Sequence, residues 1–406
     1  MVLNWKEVSI GEIGKIVTGN TPSKKNSSYF GGQYTWIKPT DITIGHRYVS
    51  KTEETYSELA FKKYENCLLP PLSTCVVTIG TVGEKICLAR EPSFTNQSIN
   101  AVIPKEGEYD PLFVYYLLKQ SLPKVAKRNP GTASGRHHVS KSNFSSIVVR
   151  VPPYPMQKKI SAILSPFDDS IEINQRKIEI LEKVSELIFA EWFVHFKYPG
   201  HENTETVSTR YGSIPKGWKY QPFGEIAENY DCKRIPLSSM ERSKRKGIYP
   251  YYGAAKILDF VDDYIFDGRY LLIAEDGSVI TPEGYPVLQL VDCKFWVNNH
   301  THVVQARSPL STNYLYLCLR NFQILGYVTG AAQPKINQTN LNRIPILVPS
   351  NEILSAFDNY IEDIFRLIRI CEKRNEVLMQ ARDLLIPPLV SGEYDICGLN
   401  TVAFGD

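Results

Sequence analysis

The stretch SPFDDSIEINQRKIEIL, from Ser165 to Leu181, returns as SAFDNYIEDIFRLIRIC from Ser355 to Cys371. The residues that recur in and just after these stretches are Phe167, Asp168, Ile171, Glu172 and Glu182, which return 190 positions later as Phe357, Asp358, Ile361, Glu362 and Glu372. Both stretches carry apolar residues at steps of three and four, the spacing of an amphipathic helix. The chain therefore repeats one unit, and the best preserved part of that unit is a long helix.

Shorter matches flank the helices at larger shifts. Trp5 matches Trp218, Gly11-Glu12-Ile13 matches Gly224-Glu225-Ile226, and Asn143, Ile147, Val151 and Pro152 match Asn340, Ile344, Val348 and Pro349. Because the shift falls along the chain, the insertions and deletions lie in the parts before the helices. We expect a globular head at 1–152, a helix at 153–203, a second head at 204–349, and a helix with a tail at 350–406. Diverged heads on a preserved scaffold suggest one task performed on two targets.

Composition favours a soluble protein with sizeable cores. The chain has 406 residues, of which 43% are hydrophobic, and no apolar run approaches the roughly 18 residues of a membrane span. The amino terminus lacks the basic start and apolar stretch of a signal peptide, so we expect a cytoplasmic protein without a membrane partner. The eight cysteines are scattered without a CxxC pair. We interpret them as reduced core thiols rather than disulfide or zinc ligands.

Charge is divided along the repeat. Residues 1–152 carry 19 basic and 12 acidic residues, and residues 204–349 carry 16 and 13. The helical segments are acidic, with 6 basic and 8 acidic residues at 153–203 and 5 and 10 at 350–406. Basic heads on acidic helices are typical of a protein whose heads approach a polyanion such as DNA. Chance variation among surface charges is the alternative.

Both helices carry a heptad seam sustained over more than four repeats. The seam residues are Ile160, Leu164, Phe167, Ile171, Asn174, Ile178, Leu181, Ser185, Ile188 and Trp192 in the first helix, and Leu354, Phe357, Ile361, Ile364, Ile368, Cys371, Asn375, Leu378, Arg382 and Leu385 in the second. Each seam is the obvious partner of the other, so we predict an antiparallel coiled coil with a head at each end. A buried Asn174 and Asn375 would fix its register.

Prolines mark the predicted helix ends. The Pro152–Pro155 segment breaks the chain before the first helix, and Pro387 with Pro388 is expected to stop the second.

On the outer face, Glu172 and Arg176 are spaced for an i, i+4 pair, which we interpret as a solvated surface pair.

The heads have mixed α+β character, with strand-like runs separated by Gly, Pro and Asn turns and a helical stretch late in each head. Their loops are rich in side chains that bind phosphates and base edges in other proteins. The predicted DNA-binding residues are Asn20, Thr21, Lys24, Lys25, Lys38, Arg136 and His137 in the first head, and Lys244, Arg245, Lys246, Tyr252, Gln333 and Lys335 in the second. Solvated basic loops and core aromatics are the alternative interpretation of these residues.

The sequence offers few signs of catalysis. Val151-Pro152-Pro153-Tyr154 resembles the NPPY motif of amino-methyltransferases, but valine cannot accept the required hydrogen bond, so we interpret it as a helix-entry turn. Asp276, Asp292 and Lys294 have the residue types of a metal-dependent nuclease core. Two histidine pairs, His137-His138 and His300 with His302, are weak metal candidates because carboxylate or Cys partners at ligand spacing are lacking. We therefore predict no cofactor, no metal site and no enzymatic activity.

A family resemblance follows from these residues taken together. The VPP turn followed by Gln157, the Phe167-Asp168 and Ile171 pattern, and the closing Leu385–Glu393 segment resemble the specificity subunit of type I restriction-modification systems. Trp36-Ile37 with Asp41, and Tyr251-Tyr252-Gly253-Ala254, look like two recognition-domain types of that family. The chain departs from the family pattern at Met156, where Glu is usual, and at 349–352, where a PP-x-x-Q entry is expected.

The resemblance implies a function and partners. Each head would be a target recognition domain that reads one half of a bipartite double-stranded DNA site, and the helices would set the spacer between the halves. Two methyltransferase subunits would dock on the chain, and restriction subunits would join through the complex. A metal-dependent DNA endonuclease and a coiled-coil adaptor that does not bind DNA are the alternatives.

Overall fold

The computed structural model describes residues 5–128, 137–330 and 333–396. The chain forms two compact units, Met1–Lys177 with Cys371–Asp406 and Ile178–Ile370. Each long helix runs from one unit into the other. Among the described residues, the structure contains no helix that is both long and apolar enough to span a membrane.

The described residues of the first head form nine short strands and five short helices. The strands are β1 (Lys6–Ser9), β2 (Gly14–Thr18), β3 (Phe30–Ile37), β4 (Thr55–Tyr56), β5 (Thr74–Val77), β6 (Ile86–Leu88), β7 (Ser93–Thr95), β8 (Ile99–Pro104) and β9 (Val148–Val151). The helices are α1 (Ile10–Ile13), α2 (Glu58–Tyr64), α3 (Pro111–Gln120), α4 (Leu122–Lys127) and α5 (Lys141–Ser145).

Three small sheets organise this head. Strands β2, β8, β5 and β6 form a four-stranded sheet in that order, β3 lies between β4 and β7, and β1 pairs with β9 antiparallel. The central strand β5 is buried at every position, and α3 packs beside it with six buried residues. Asp110 caps α3 by accepting a hydrogen bond from Phe113 N, as expected for an N-cap aspartate.

The first long helix, α6, spans Tyr154–Phe189, and a π-helical turn follows at Ala190–Val194. It begins directly after Pro152 and Pro153, which confirms the predicted helix-entry turn. Proline at the first turn leaves no hydrogen bond unmade, because the first four helical N–H groups have no partner within the helix.

In the second head, the part of the chain that the structure describes forms ten strands and four short helices. The strands are β10 (Thr206–Thr209), β11 (Gly212–Pro215), β12 (Lys219–Pro222), β13 (Ala227–Asn229), β14 (Lys246–Tyr252), β15 (Ile257–Val261), β16 (Phe266–Ala274), β17 (Leu288–Val297), β18 (Thr301–Ala306) and β19 (Pro345–Val348). The helices are α7 (Phe223–Ile226), α8 (Ser239–Lys244), α9 (Thr312–Arg320) and α10 (Gln338–Asn342). A six-stranded sheet with the order β13-β18-β16-β17-β14-β15 dominates this head, so β15 is an edge strand.

The second long helix, α11, spans Asn351–Ser391. The prediction that Pro387 and Pro388 stop this helix is wrong, because both prolines lie inside it. Side chains around the prolines, including those of Ile386 and Leu389, are buried in the core of the first unit, and this packing offsets the lost backbone hydrogen bonds. The helix ends before Gly392, whose positive φ of 80° is typical of a residue just beyond a helix end.

The sequence predicts strands at 75–79, 145–151, 270–274 and 343–348, and these runs overlap β5, β9, β16 and β19. Seven cysteines lie in the described residues and none forms a disulfide there. Five of them are buried as predicted, but Cys232 and Cys293 are exposed. The eighth, Cys397, lies outside the described residues.

Candidate nucleic-acid interface

The loop after β2 in the first head is anchored at its base. The Asn20 amide donates a hydrogen bond to Cys67 Sγ at 2.9 Å, and the Asn20 carbonyl accepts from the Trp36 indole at 3.2 Å and the Tyr56 hydroxyl at 2.7 Å. Asn20 therefore holds the loop against the aromatic core. The predicted DNA-binding residues further along the loop, Thr21, Lys24 and Lys25, are exposed.

Lys38 lies in a closed polar turn after β3. Its side chain is only 15% exposed, and its ammonium binds Glu53 at 2.6 Å and Glu54 at 2.9 Å. Burial alone would lower the pKa of Lys38, but the two carboxylates outweigh it and raise the pKa. Asp41 accepts hydrogen bonds from the backbone of Lys38 and Glu53 at 2.7 and 3.0 Å. These contacts hold the turn rather than present Lys38 to a phosphate.

The remaining candidate loop of the first head lies partly outside the described residues. Arg136 and the preceding 131–135 segment belong to that portion. His137 is exposed, and its carbonyl accepts a hydrogen bond from Gly80 N at 3.0 Å, which connects it to the segment that follows β5.

In the second head the basic run Lys244-Arg245-Lys246 joins α8 to β14. Lys244 is exposed at the end of α8. Arg245 pairs with Asp262 at 2.9 Å and Lys246 with Asp259 at 2.6 Å, which anchors both side chains to the neighbouring strand. Tyr252 is half-buried, and its ring contacts Phe295 with a centroid distance of 5.7 Å.

A tight hairpin carries the last two candidates, Gln333 and Lys335. Thr329 and Lys335 exchange backbone hydrogen bonds of 2.8 and 2.7 Å, and Lys335 pairs with Glu275 at 3.2 Å. Gln333 is exposed at the hairpin. The structure thus gathers Lys335 into a charged cluster and leaves Gln333 open to a ligand.

The charged cluster beneath this hairpin contains three potential metal ligands, Asp231, Glu275 and His302. The His302 ring, which is 2% exposed, contacts Asp231 Oδ2 through Nδ1 at 2.5 Å and the Ile336 carbonyl through Nε2 at 2.9 Å. Both partners accept hydrogen bonds, so both ring nitrogens donate and neither offers a lone pair to a metal. Arg234 also pairs with Glu275 at 2.9 Å. The cluster is an ion-pair network rather than a metal centre.

The pKa shifts agree with this interpretation. Burial by itself would lower the pKa of His302, but the hydrogen bond and charge of Asp231 outweigh it, and the pKa is raised. Burial would raise the pKa of Asp231, and the contact with His302 reverses that effect and lowers it. Both shifts favour the charged form of the group, an imidazolium beside a carboxylate.

The proposed nuclease residues do not converge. Asp292 lies opposite Arg269 in the β16–β17 ladder, and Asp276 lies seven residues beyond Arg269. At about 3.3 Å per residue the two carboxylates are about 20 Å apart. Asp276 instead contacts His300 at 2.7 Å, and the Lys294 ammonium lies over the Tyr264 ring. The structure does not support a two-carboxylate metal site from these residues.

In the first unit the two long helices contact each other through a buried amide pair. Asn174 Nδ2 donates to Asn375 Oδ1 at 2.9 Å, and both residues are less than 10% exposed. Most of the predicted seam is buried. The buried residues include Ile160, Leu164, Ile171, Ile178, Phe357, Ile361 and Ile368, while Phe167, Leu181, Ile188, Ile364 and Leu378 are partly buried.

A buried ion pair that no sequence pattern indicated joins the helices and the first head. Arg382 is fully buried and donates hydrogen bonds to the Asp168 carboxylate and to the Gly45 carbonyl, the latter at 2.8 Å. The Tyr116 hydroxyl donates to the other Asp168 oxygen at 2.5 Å. Gly45 has a positive φ of 92°, and a Cβ there would lie 2.9 Å from Met379 Sδ, so this close approach favours glycine.

A second contact connects the first head to α6. Arg47, whose side chain is 5% exposed, pairs with Glu172 at 2.7 Å and also with Asp169. Arg90 reaches the other Glu172 oxygen at 3.1 Å. The interpretation of Glu172 as a solvated surface residue is therefore wrong, because head arginines bind it. Its recurrence as Glu362 is the sequence signal that pointed to this site.

The second unit has a corresponding junction with a different construction. Phe357 packs against Phe189, Trp192 and Phe193, with centroid distances of 6.2, 5.6 and 4.7 Å. Glu362 pairs with Arg269 and, at 3.1 Å, with Arg369. Each head is thus connected to a helix by arginines that bind the repeated glutamate.

Known proteins support this two-part organisation. The family model described as "Type I restriction modification DNA specificity domain" matches residues 3–183 and again residues 215–378. The MjaIX type I restriction enzyme specificity subunit of Methanocaldococcus jannaschii is 26% identical over 97% of this chain and 94% of its own length. The EcoprrI specificity subunit of Escherichia coli is 23% identical over 93% of this chain and 94% of its own.

A solved structure shows the same fold. The type I restriction-modification S subunit from M. genitalium superposes with a TM-score of 0.52 and 17% identity, covering 96% of each chain. The duplicated family match covers both heads and most of both long helices. The chain belongs to the type I restriction-modification DNA specificity family.

Proposed function

We propose that this chain is the DNA-recognition subunit of a type I restriction-modification complex and is not itself an enzyme. Each head, at 1–152 and 204–349, reads one half of a bipartite double-stranded DNA site. The helical segments at 153–203 and 350–406 set the spacer and bind the partner subunits. The protein acts in the cytoplasm, where its DNA substrate lies.

One observation carries this proposal: the specificity-domain model matches the chain twice, once for each head with its helix. Two copies of a reading domain with diverged heads are suited to two different half-sites. Thr21, Lys24, Lys25, Lys244 and Gln333 are DNA-binding candidates whose side chains are exposed. Phosphate and base-edge contacts by such side chains are typical of DNA readers.

The long helices form an antiparallel coiled coil in this proposal. Within the first unit, Asp168 contacts Arg382 and Asn174 contacts Asn375, so higher numbers on α6 match lower numbers on α11. Within the second unit, Trp192 contacts Phe357. A helix of 36 residues, such as α6, is about 54 Å long at 1.5 Å per residue, enough to act as a ruler between half-sites.

Two methyltransferase subunits dock on the outer faces of these helices, and restriction subunits join through the complex. Ile180 and Leu187 on α6 are 56% and 54% exposed and lie seven residues apart. Exposed apolar residues at heptad spacing are suited to a partner helix rather than to water. We expect Leu187→Glu to abolish co-purification with a methyltransferase subunit, while Lys183→Glu, one turn away on an exposed site, has a smaller effect.

Exchange of the first head tests the two-reader model. Residues 1–150 are replaced by the head of a relative, and methylated adenines are mapped in a host that also expresses the methyltransferase partner. One half of the methylated sequence should change while the other half stays the same. A change in both halves would show that the heads do not read independently.

The alternatives predict other results. An adaptor that does not bind DNA leaves the methylated sequence unchanged after the exchange. A nuclease cleaves plasmid DNA with Mg²⁺ in the absence of partners, and loses that activity on Asp292→Ala.

Deletion of one heptad from each helix tests the ruler. Removal of residues 171–177 and 361–367 keeps both seams in phase and shortens the helices by about 10 Å, which corresponds to about three base pairs. The spacer between half-sites should shorten while their sequences stay the same. A folded, active protein that keeps the original spacer would show that another element sets the distance.

A further inference from the structure

The hairpin of β14 and β15 presents an isoleucine to solvent at a β-bulge. In this ladder Lys246 and Tyr249 both lie opposite Val261, so Gly247 and Ile248 bulge out of the strand. The Ile248 side chain is 79% exposed. A bulge redirects a side chain, and bulges are frequent beside binding sites.

The surrounding structure holds this bulge firmly. A Cβ on Gly247 would lie 2.3 Å from the Val261 carbonyl oxygen, so only glycine allows the two backbones to approach this closely. Asp262 N donates to the Arg245 carbonyl at 2.9 Å on the other side of the bulge. The inner face of the hairpin is well packed, since Tyr251 and Val261 are completely buried. The outward position of Ile248 is therefore a built feature of the head.

The bulge lies in the most basic stretch of the second head. The fifteen residues from Arg242 to Lys256 include five basic and no acidic residues. Lys244 and Lys246 are exposed beside the bulge, where Lys246 pairs with Asp259, and Lys256 is exposed at the turn that joins β14 to β15. On the outer face of the edge strand β15, Leu258 and Phe260 are 44% and 48% exposed. This surface combines apolar groups with cations. Apolar groups can contact base edges and cations can bind phosphates, so the surface is suited to DNA.

We propose that Ile248 contacts the 5-methyl group of a thymine in the half-site that the second head reads, with Lys244 and Lys256 on the flanking phosphates. The thymine methyl is the apolar group that base edges offer in the major groove, and aliphatic side chains recognise it by contact. This inference rests on the proposed function and names one specificity-determining residue of it.

Replacement of thymine by deoxyuridine tests the contact, because it removes only the methyl group. The chain with its methyltransferase partner is assayed on duplexes in which each thymine of the second half-site is replaced in turn. Every half-site with a methylated adenine contains at least one thymine, in the opposite strand. At one position the methylation rate should fall about fourfold, the equivalent of one buried methyl group. In Ile248→Ala the same replacement should have no effect.

Val207→Ala serves as the matched control, since Val207 is a β-branched residue that is 39% exposed in the separate β10–β11 hairpin. This variant should keep the wild-type sensitivity to deoxyuridine. Both variants should melt within about two degrees of the wild type because both sites are exposed.

The outcomes separate the two levels of the proposal. Wild-type insensitivity at every thymine, or equal sensitivity in Ile248→Ala, overturns the Ile248 contact alone. Failure of the unmodified complex to methylate any bipartite site overturns the proposed function and the inference with it.

Discussion

The two helix–head junctions use the same repeated carboxylates in different environments. In the first unit Asp168 is 1% exposed and bound by a fully buried Arg382. Its counterpart Asp358 in the second unit is half-buried and accepts a hydrogen bond from the Ser311 hydroxyl at 2.5 Å. In the second unit the arginines Arg269 and Arg369 bind Glu362 instead, which is half-exposed and lies one helical turn after Asp358.

The difference shows that a repeated helix sequence determines where a carboxylate lies on the helix. Its contribution to the free energy of unfolding depends on the residues that surround it. Water screens the Glu362 ion pairs. The buried Asp168 carboxylate is shielded from water, and Arg382 is the cation that neutralises it. The first junction should therefore be sensitive to loss of a single charge, and the second should tolerate it.

The largest effect is expected from Arg382→Ala. It leaves the buried Asp168 carboxylate without its cation and should lower the free energy of unfolding by about 3–5 kcal/mol. Arg369→Ala, at the 31% exposed arginine of the second junction, is the matched control and should cost less than about 1 kcal/mol. Urea denaturation of both variants gives the comparison. Equal losses would show that the junctions do not differ.

A double substitution sharpens the same comparison. Arg382→Met with Asp168→Leu replaces the pair by apolar side chains and should recover most of the loss, because the buried charge is removed together with its partner. A double variant as unstable as Arg382→Ala would show that the Gly45 contact of Arg382, rather than the ion pair, matters most.

The next effect concerns a buried charge inside the second head. His302→Gln removes an imidazolium that bridges Asp231 and Ile336 and should cost about 1.5–3 kcal/mol at pH 6, as for hydrogen bonds to charged groups. The pKa of His302 is raised above its ordinary 6.5, so its stabilisation is fully present below pH 6.5 and is lost as the pH rises through the folded pKa.

The charged groups of the cluster around the ring are Asp231, Glu275, Arg234 and Lys335. Thermal denaturation from pH 6 to 9 should show a declining melting temperature in the wild type and a flatter profile in His302→Gln. Parallel profiles would assign the pH dependence to another group.

A smaller effect is expected at the amide pair. The position equivalent to Asn174 in the second repeat is Ile364, so the polar seam residue is particular to the first unit. Asn174→Leu removes the donor that binds the buried Asn375 amide oxygen and should lower the free energy of unfolding by about 1–3 kcal/mol. The double variant with Asn375→Leu should recover stability, while a single fixed register of the helices should be lost. Disulfide trapping between cysteines introduced at paired positions would reveal mixed registers.

Sequence reasoning predicted the repeated architecture because periodicity is a local property. The seam, the helix start at Pro152 and the helical stretches at α3 and α9 all follow from spacing within one segment. The Arg382–Asp168 pair and the Arg47–Glu172 pair join residues more than 100 positions apart, which no local pattern encodes. The exposure of basic side chains could not be predicted from the sequence either. Lys38 and Lys244 are both lysines in predicted loops, but Lys38 is bound by two carboxylates and is largely buried.

The smallest effect is expected from Glu362→Gln. The hydrogen bond from Arg269, with a further contribution from Arg369, lowers the pKa of Glu362 from 4.5 to about 2. A depressed pKa means that the stabilisation is present above pH 4.5 and is lost as the pH falls through about 2. Because the side chain is 49% exposed, solvent screening limits this contribution to about 1 kcal/mol or less. Glu362→Gln should therefore flatten the acid limb of the stability profile between pH 4.5 and 2. Asp363→Asn, which removes a 69% exposed neighbour, should leave that limb unchanged. If both variants flattened it equally, general surface charge rather than the Arg269 contact would account for the acid sensitivity of the second junction.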